Sequence, residues 1–491
     1  MLKRIAFGLV LVVALPMMAQ NPLDEFNKFR EQQGAQFNKF KDNQQAEYDA
    51  FRRRVNAEYA GFLRNKWPER VGEEPVIPQQ EKSIEPVLFE PAEQEPEPVE
   101  VKSLFYFTIP EPQPTPEPIA PVKAKPQSFK RVTIAYFGTL ITVGFPEDDD
   151  LKLPSLDEDD IADAWEKLAE ERYDITVQMA LEARANNKLC DWAYLNMLQQ
   201  ITEKKYGKSN EATLMQAFLM TQSGYRIRMG TFNDKLYLLV ASLYDIIGLS
   251  YFQLDGSKFY VTNGDKGLQM YITESKFEKE KPLSLQMSQL PQLNSEPTPK
   301  RTLTSKRGVT TSVSVNKNLI DFFNTYPQAY FNGDQTTRWA AFANTPIEPS
   351  VTATLYPPLK ATIEGMTERQ AVDILLNWVQ TAFEYGYDDE IWGGDRAFFA
   401  QETLFYPYSD CEDRSILFSH LVRDLVGLDV VLLYYPKHLA TAVAFNDDVK
   451  GDWLTYENRK YVVCDPTYIN AGIGRTMPGM NNNEARVIGL K

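Results

Sequence analysis

Tyr408-Ser-Asp-Cys-Glu-Asp-Arg-Ser415, followed by the apolar run Ile416 to Gly427, decides how the chain is read. Ser409 and Glu412 stand in the S-x-x-E relation of a capping box, so Ser409 is expected as the N-cap of a helix. Cys411 then takes the second helical position, with its sulfur near unpaired N–H groups and the positive end of the helix dipole. That setting favours the thiolate, the nucleophilic form of cysteine. Asp410, Glu412 and Asp413 oppose it, because neighbouring carboxylates disfavour another anion. A cationic partner is needed, and the chain has only two histidines to offer.

His420 lies nine residues after Cys411 on the same expected helix, about two and a half turns along the axis. It is read as structural. His438 follows a β-branched and aromatic strand, Leu428 to Tyr435, and a Pro436-Lys437 turn, and it opens a second apolar run to Phe445. The two runs read as antiparallel neighbours. A third strand, Lys460 to Cys464, ends in Asp465 just before Pro466. Helix, strand, strand is an order that can bring a thiol, an imidazole base and an orienting carboxylate together. Cys464 and Cys190 read as buried packing residues. Three cysteines cannot all pair within one chain, so at least one thiol stays free.

With Asp-Cys-Glu-Asp-Arg at 410–414, His-Leu-Ala-Thr-Ala-Val at 438–443 and Val-Cys-Asp-Pro-Thr-Tyr at 463–468, the segment from Gln370 to about Gly479 resembles the catalytic core of the transglutaminase-like superfamily, relatives of papain-type cysteine enzymes. The resemblance is closest to secreted multidomain proteins of the Bacteroides type. It implies an α+β, papain-like fold in which Cys411 is the nucleophile, His438 the general base and Asp465 the orienting residue. A thioester formed on an amide or peptide substrate would be resolved by water, as in a peptidase or amidase, or by an amine, as in a transglutaminase; hydrolysis is the favoured expectation. Many members carry an aromatic residue soon after the histidine, in a His-Ala-Trp pattern, where this chain has Leu439-Ala440. That departure supports a competing reading, a non-catalytic binding or scaffold protein of the cell envelope.

No cofactor or metal is expected. Glu147-Asp-Asp-Asp150 lacks paired ligands at calcium-loop spacing, and Gly393-Gly394 is too short for a phosphate loop. A length of 491 residues suggests about three domains. The net charge of −15 leaves no basic surplus for nucleic-acid binding. Residues 1–20 read as an export signal, with Lys3 and Arg4 before the apolar stretch Ile5 to Leu15. That stretch is too short to span a membrane, no other long apolar run follows, and no cysteine after it marks a lipoprotein. The expected location is periplasmic, or secreted to the cell envelope.

Within 21–67, Phe26, Phe37, Tyr48 and Tyr59 recur every 11 residues, as do Phe29, Phe40, Phe51 and Phe62. At 3.67 residues per turn both series lie on one face of a long amphipathic helix. That face (26–62) needs a partner: the protein's own body, a second copy, or another protein. Residues 68–127 hold 14 of the 31 prolines, interleaved with Glu, and read as an extended, self-repelling spacer. Val101 to Ile109 interrupts it as a lone apolar patch or as a strand added to a later sheet edge. A second linker is expected at 276–308, then strand-rich sequence leading to an amphipathic helix over Thr367 to Tyr385, the C-terminal domain being 309–491.

Residues 128–275 read as a degenerate copy of that C-terminal domain. The helix Ala212 to Ser223 falls on Ser415 to Val426, and Gly224 to Gly230 on Gly427 to Leu433, a shift of about 203. In this register Cys411 corresponds to Lys208, His438 to Lys235 and Asp465 to Asn263, none of which can run thiol chemistry.

Overall fold

The structure, a computed structural model, describes residues 22–77, 84–91, 97–103, 105–264, 269–331 and 333–491; the expected export signal lies outside them. The chain is α+β. Among the described residues no helix is long and apolar enough to cross a membrane.

Helix α1 (Pro22–Leu63) runs without a break for 42 residues, about 63 Å at 1.5 Å per residue. Only its C-terminal half is docked. Arg52 reaches the buried Asp174 at 2.6 Å. Asn56 Oδ1 accepts from Gln222 Nε2 (2.9 Å) and Trp165 Nε1 (3.1 Å). Tyr59 stacks on Phe277 with ring centroids 4.4 Å apart. The two aromatic series sit about 60° apart around the helix, so burying Tyr59 leaves Phe62 in water.

From Pro68 onward the chain is not a free spacer but a strap tied across the molecule. β1 (Glu69–Val71) and β2 (Phe105–Thr108) each add an edge strand to a six-stranded sheet. Between and beyond them, Glu73 N–H donates to Tyr251 O (2.7 Å), Phe89 N–H to Ile469 O (2.8 Å), Val101 N–H to Trp453 O (2.7 Å) and Ile119 N–H to Gln222 O (3.1 Å). Val101, Ile109 and Ala120 are buried. Proline and glutamate dominate the composition, but these sparse apolar residues and the unpaired backbone groups are enough to anchor an extended chain to sheet edges.

The first sheet follows helix α2 (Asn210–Gln222) and contains β3 (Ile227–Phe232), β4 (Lys235–Ala241), β5 (Tyr251–Leu254), β6 (Ser257–Val261) and β7 (Gln269–Ile272), in the order β1-β7-β3-β4-β6-β5. The second follows helix α3 (Cys411–Leu425) and contains β8 (Val430–Tyr435), β9 (His438–Val443), β10 (Trp453–Tyr456), β11 (Arg459–Cys464) and β12 (Arg486–Gly489), in the order β2-β12-β8-β9-β11-β10. The two orders are the same, position for position. The central hairpins match in register too, with Phe232 opposite Lys235 and Tyr435 opposite His438. The strap strands differ: β1 joins antiparallel and β2 parallel.

One continuous apolar core joins the helices packed on both sheets, from Tyr59 and Trp165 through Leu219 and Phe322 to Trp378, Phe418 and Leu432. Two stretches depart from expectation. Residues 276–308 are no linker, since Leu283, Leu285 and Met287 are buried. The segment expected to be strand-rich instead forms helices Lys317–Phe323, Arg338–Ala343 and Pro349–Ile363.

The strap passes close to Gly224, whose φ is +88° and where an added Cβ would lie 2.0 Å from Glu117 O. Gly224→Ala is therefore expected to lower the unfolding free energy by about 3 kcal/mol. Gly34→Ala in α1, with nothing within 4 Å, should cost nothing. Urea denaturation compares the two, and equal stability of both variants would contradict the packed strap.

Candidate active site

Cys411 is the first residue of α3, and the N-cap is Asp410 rather than Ser409. The cap shifts by one because Asp413, not Glu412, turns back: its carboxyl accepts from Asp410 N–H at 3.2 Å and from Phe398 N–H at 2.9 Å. Ser409 Oγ instead accepts from Arg414 Nε at 3.2 Å. Arg414, fully buried, also donates to Gln380 O (3.3 Å) and Phe383 O (3.0 Å), which fixes the helix start against the chain before it. Glu412 is thereby free to meet the thiol, and Cys411 Sγ donates to Glu412 Oε2 at 3.2 Å.

His438 is the first residue of β9, directly after the hairpin turn in which Lys437 takes φ +68°. Its Nε2 lies 2.8 Å from Asp465 Oδ2, both groups buried. Asp465 follows β11, and its Oδ1 accepts from Thr467 N–H (2.8 Å) and Tyr468 N–H (3.2 Å), so the carboxylate is aimed before it meets the imidazole. His438 Nδ1 is buried and has no hydrogen-bond partner among the described residues. Cys411 and His438 line one narrow cleft with Trp339, Asp395, Glu412 and Leu439. The Leu439 N–H donates to the Cys411 sulfur. The cleft holds about 30 Å³ and leaves the thiol 2% exposed, too little for a substrate side chain to enter.

Opposing effects act on the thiol. The helix start and the Leu439 N–H favour an anion, whereas burial, then Glu412 and Asp410, push the pKa well above its ordinary value. Burial with two acidic neighbours wins, and the thiol is protonated in this arrangement. The acidic surroundings extend further than the motif. Burial, then Glu412, raise Asp388 to about 8 and Asp395 to about 7. Asp410 and Asp413 are also raised, by burial first, then by Glu412 for Asp410 and by Asp388 for Asp413. Asp395 also pairs with Arg338. Among the described residues, Asp388, Asp395 and Glu412 offer carboxylate oxygens within 4.8 Å of one another, as Asp410, Cys411 and Glu412 offer ligand atoms. Hard oxygen donors of this kind can hold a divalent cation or share protons.

The other titratable candidates sit apart. His420 is buried mid-helix, its pKa pushed down to about 3 by burial and by Arg423. Cys464 is buried on β11, Cys190 is half-buried, and all three thiols are free. In the first sheet, Lys235 opens β4 as His438 opens β9, and its Nζ donates to Asn263 O at 2.8 Å. Lys208 does not face it: it is exposed and precedes the N-cap Ser209. Helix α2 starts two residues later relative to its strand than α3 does. The Leu236 N–H, placed as Leu439 is, therefore donates to Asn210 Oδ1 at 2.9 Å.

Two residues at the site carried no signal in the motifs. Gln380 Nε2 donates to Asp465 O (3.0 Å), Tyr468 O (2.8 Å) and Ala471 O (3.1 Å), holding the loop that carries the carboxylate. Trp339, 72 positions before Cys411, brings an indole Nε1 that is buried and without a partner among the described residues. No family, no curated protein and no solved structure matches this chain.

Carboxyls raised to about 7 and 8 set a pH dependence of stability. An unfolded Asp titrates near 3.9, so between about pH 4 and 8 the folded chain keeps protons that the unfolded chain has released. Stability falls as pH rises through that window. Thermal melts should show Tm dropping from about pH 5 to pH 8, and Asp388→Asn should flatten the drop. A Tm that climbs with pH over this range would contradict the protonated cluster.

Proposed function

We propose that the chain is an exported cysteine enzyme that attacks amide bonds of peptide or protein substrates, with Cys411 as nucleophile, His438 as general base and Asp465 as the residue that orients it. The observation that carries this reading is the His438–Asp465 hydrogen bond, which occupies Nε2 and leaves Nδ1 without a hydrogen-bond partner among the described residues, on a side chain that lines the same cleft as Cys411. An imidazole held at one nitrogen keeps a defined tautomer and can take a proton at the other.

The steps follow from these positions. Cys411 Sγ gives its proton to His438 Nδ1, and the thiolate adds to the substrate carbonyl. The Leu439 N–H and the Trp339 indole N–H are donors available to the developing oxyanion. The imidazolium then protonates the departing amine, leaving a thioester on Cys411. Water, activated by His438, releases the acid and restores the thiol; an amine in place of water would make the reaction acyl transfer.

The fold half of the proposal is an internal duplication: two papain/transglutaminase-like units, 128–275 and 309–491, the first without catalysis. Its support is the common strand order and the matching hairpin registers. Asn210, Lys235 and Asn263 stand where the first unit would need a thiol, a base and an orienting carboxylate. The first unit then serves as structural or substrate-binding support, consistent with an envelope protein larger than its catalytic half.

A second reading has an observation of its own. The thiol donates to Glu412 in a nearly closed cleft, which suits a binding or scaffold protein that has lost its chemistry. The pH profile of Cys411 alkylation by iodoacetamide, read by mass spectrometry, separates the two. For an enzyme, Glu412→Gln should move the profile to lower pH, and His438→Ala should abolish reactivity at neutral pH. Asp465→Asn should cut hydrolysis of reporter peptides by about 10²–10⁴-fold. A profile untouched by Glu412→Gln and His438→Ala, with no hydrolysis for Asp465→Asn to cut, would leave Cys411 a packing residue.

A further inference from the structure

The N-terminal half of α1 is built differently from the half that docks. From Phe29 to Gln44 every residue is exposed. Among the described residues, the first hydrogen bond from α1 to the rest of the chain is Gln45 Nε2 to Pro121 O, at 3.4 Å. Upstream of that point the helix runs on for roughly 30 Å with no hydrogen bond to the rest of the chain among the described residues. A helix of about 20 residues interrupted by Gly34 is marginal in water unless one face is covered. The face to be covered is specific: Phe26, Phe29, Phe37 and Phe40 are 57–62% exposed, even with the Lys41 ammonium lying 4.5 Å over the Phe37 ring.

From this we infer that residues 26–44 pair with the same segment of a second copy of the chain, as a right-handed helical coil. Three observations select that occupant. The tetrad Phe-Asn-Lys-Phe occurs at 26–29 and again, unchanged, at 37–40. An 11-residue spacing of apolar pairs is the period of a right-handed supercoil, in which a repeating surface can match itself in register. The chain as a whole carries −15, so two copies repel, but the undocked half of α1, 22–44, is balanced, with Lys28, Arg30, Lys39 and Lys41 against Asp24, Glu25, Glu31 and Asp42. The free half of α1 is thus a place where two copies can meet without like-charge cost. The same balance disfavours an anionic membrane surface, for which a basic polar face would be needed. In the docked half the third and fourth repeats show what the stripe does once covered: Tyr48 is half-buried and Tyr59 stacks between Trp165 and Phe277.

Light scattering coupled to size exclusion, on the whole chain at concentrations on the order of 10 μM and above, tests this. The expected result is a dimer that becomes a monomer in the Phe29→Glu/Phe40→Glu variant, with the urea midpoint and the Cys411 alkylation profile unchanged. A wild-type chain that stays monomeric at these concentrations overturns the inference. So does a dimer that survives the double substitution, and so does a monomer that binds phosphatidylglycerol vesicles through the same phenylalanines. Gln33→Cys adds a second readout. Seven residues after Phe26 and seven before Phe40, it lies on the aromatic stripe and is exposed, and oxidation should link the two copies in the otherwise wild-type chain and not in the double variant.

Discussion

The hydrogen bond of 2.8 Å from His438 Nε2 to Asp465 Oδ2 is the constraint on which the site depends. It joins the first residue of one strand to the residue after the end of its neighbour, so it can form only if β9 and β11 hold their antiparallel register, with Thr441 opposite Cys464. That register rests in turn on two fixed points. Gln380, from the helix Glu368–Ala382, grips three carbonyls of the loop after Asp465. The strap grips the same loop from the other side, through Phe89 and Val87 on Ile469. Both groups of the pair are buried, so losing either would leave a polar group with no water to replace its partner.

The thiol is held by different forces. Position favours reactivity, since a first-turn sulfur accepting a backbone N–H is well placed to become an anion. Composition opposes it, because burial and the carboxyl groups of Glu412 and Asp410 keep the proton on sulfur. Turnover on this account requires the cleft to open, which would hydrate Glu412 and let the imidazole compete for the thiol proton. Lys437 lines the same cleft, and three arginines lie near the cluster. Arg338 is committed to Asp395, Arg396 to Glu402 and Arg414 to backbone carbonyls and Ser409, so none of the three neutralises the cluster fully.

Much of the site was legible because it lies at element boundaries with strong local signals. The cysteine before an apolar helical run, the histidine after a Pro-Lys turn and the Asp before Pro466 each mark where a strand or helix starts or stops. The cap lies one residue beyond the sequence expectation, at Asp410, because Ser409, Asp410, Glu412 and Asp413 can all cap. Only Phe398, from a distant segment, commits Asp413 to turning back. Gln380 and Trp339 were not readable, since their roles come from tertiary placement and nothing in their local pattern differs from ordinary helix. The strap departs from a free spacer for a physical reason: Pro-Glu composition forbids a core of its own but not attachment to another sheet's edge, and within 101–109 the expected edge strand does form, at Phe105–Thr108. The helix Pro349–Ile363 carries no helical signal in the sequence because Pro357 and Pro358 sit inside it, where local propensity argues against any helix; buried Val351, Leu355 and Leu359 outweigh that cost.

The central claim is that Cys411 forms a covalent acyl intermediate with the help of His438. Its most direct measurement is intact-protein mass spectrometry after brief exposure to an activated acyl ester, with peptide mapping of the adduct. The account predicts a single acyl group on Cys411 that is lost with time in water or on adding hydroxylamine, and no adduct in the His438→Ala protein. Acylation spread over surface lysines with Cys411 unmodified, or equal acylation of Cys411 with and without His438, would contradict it.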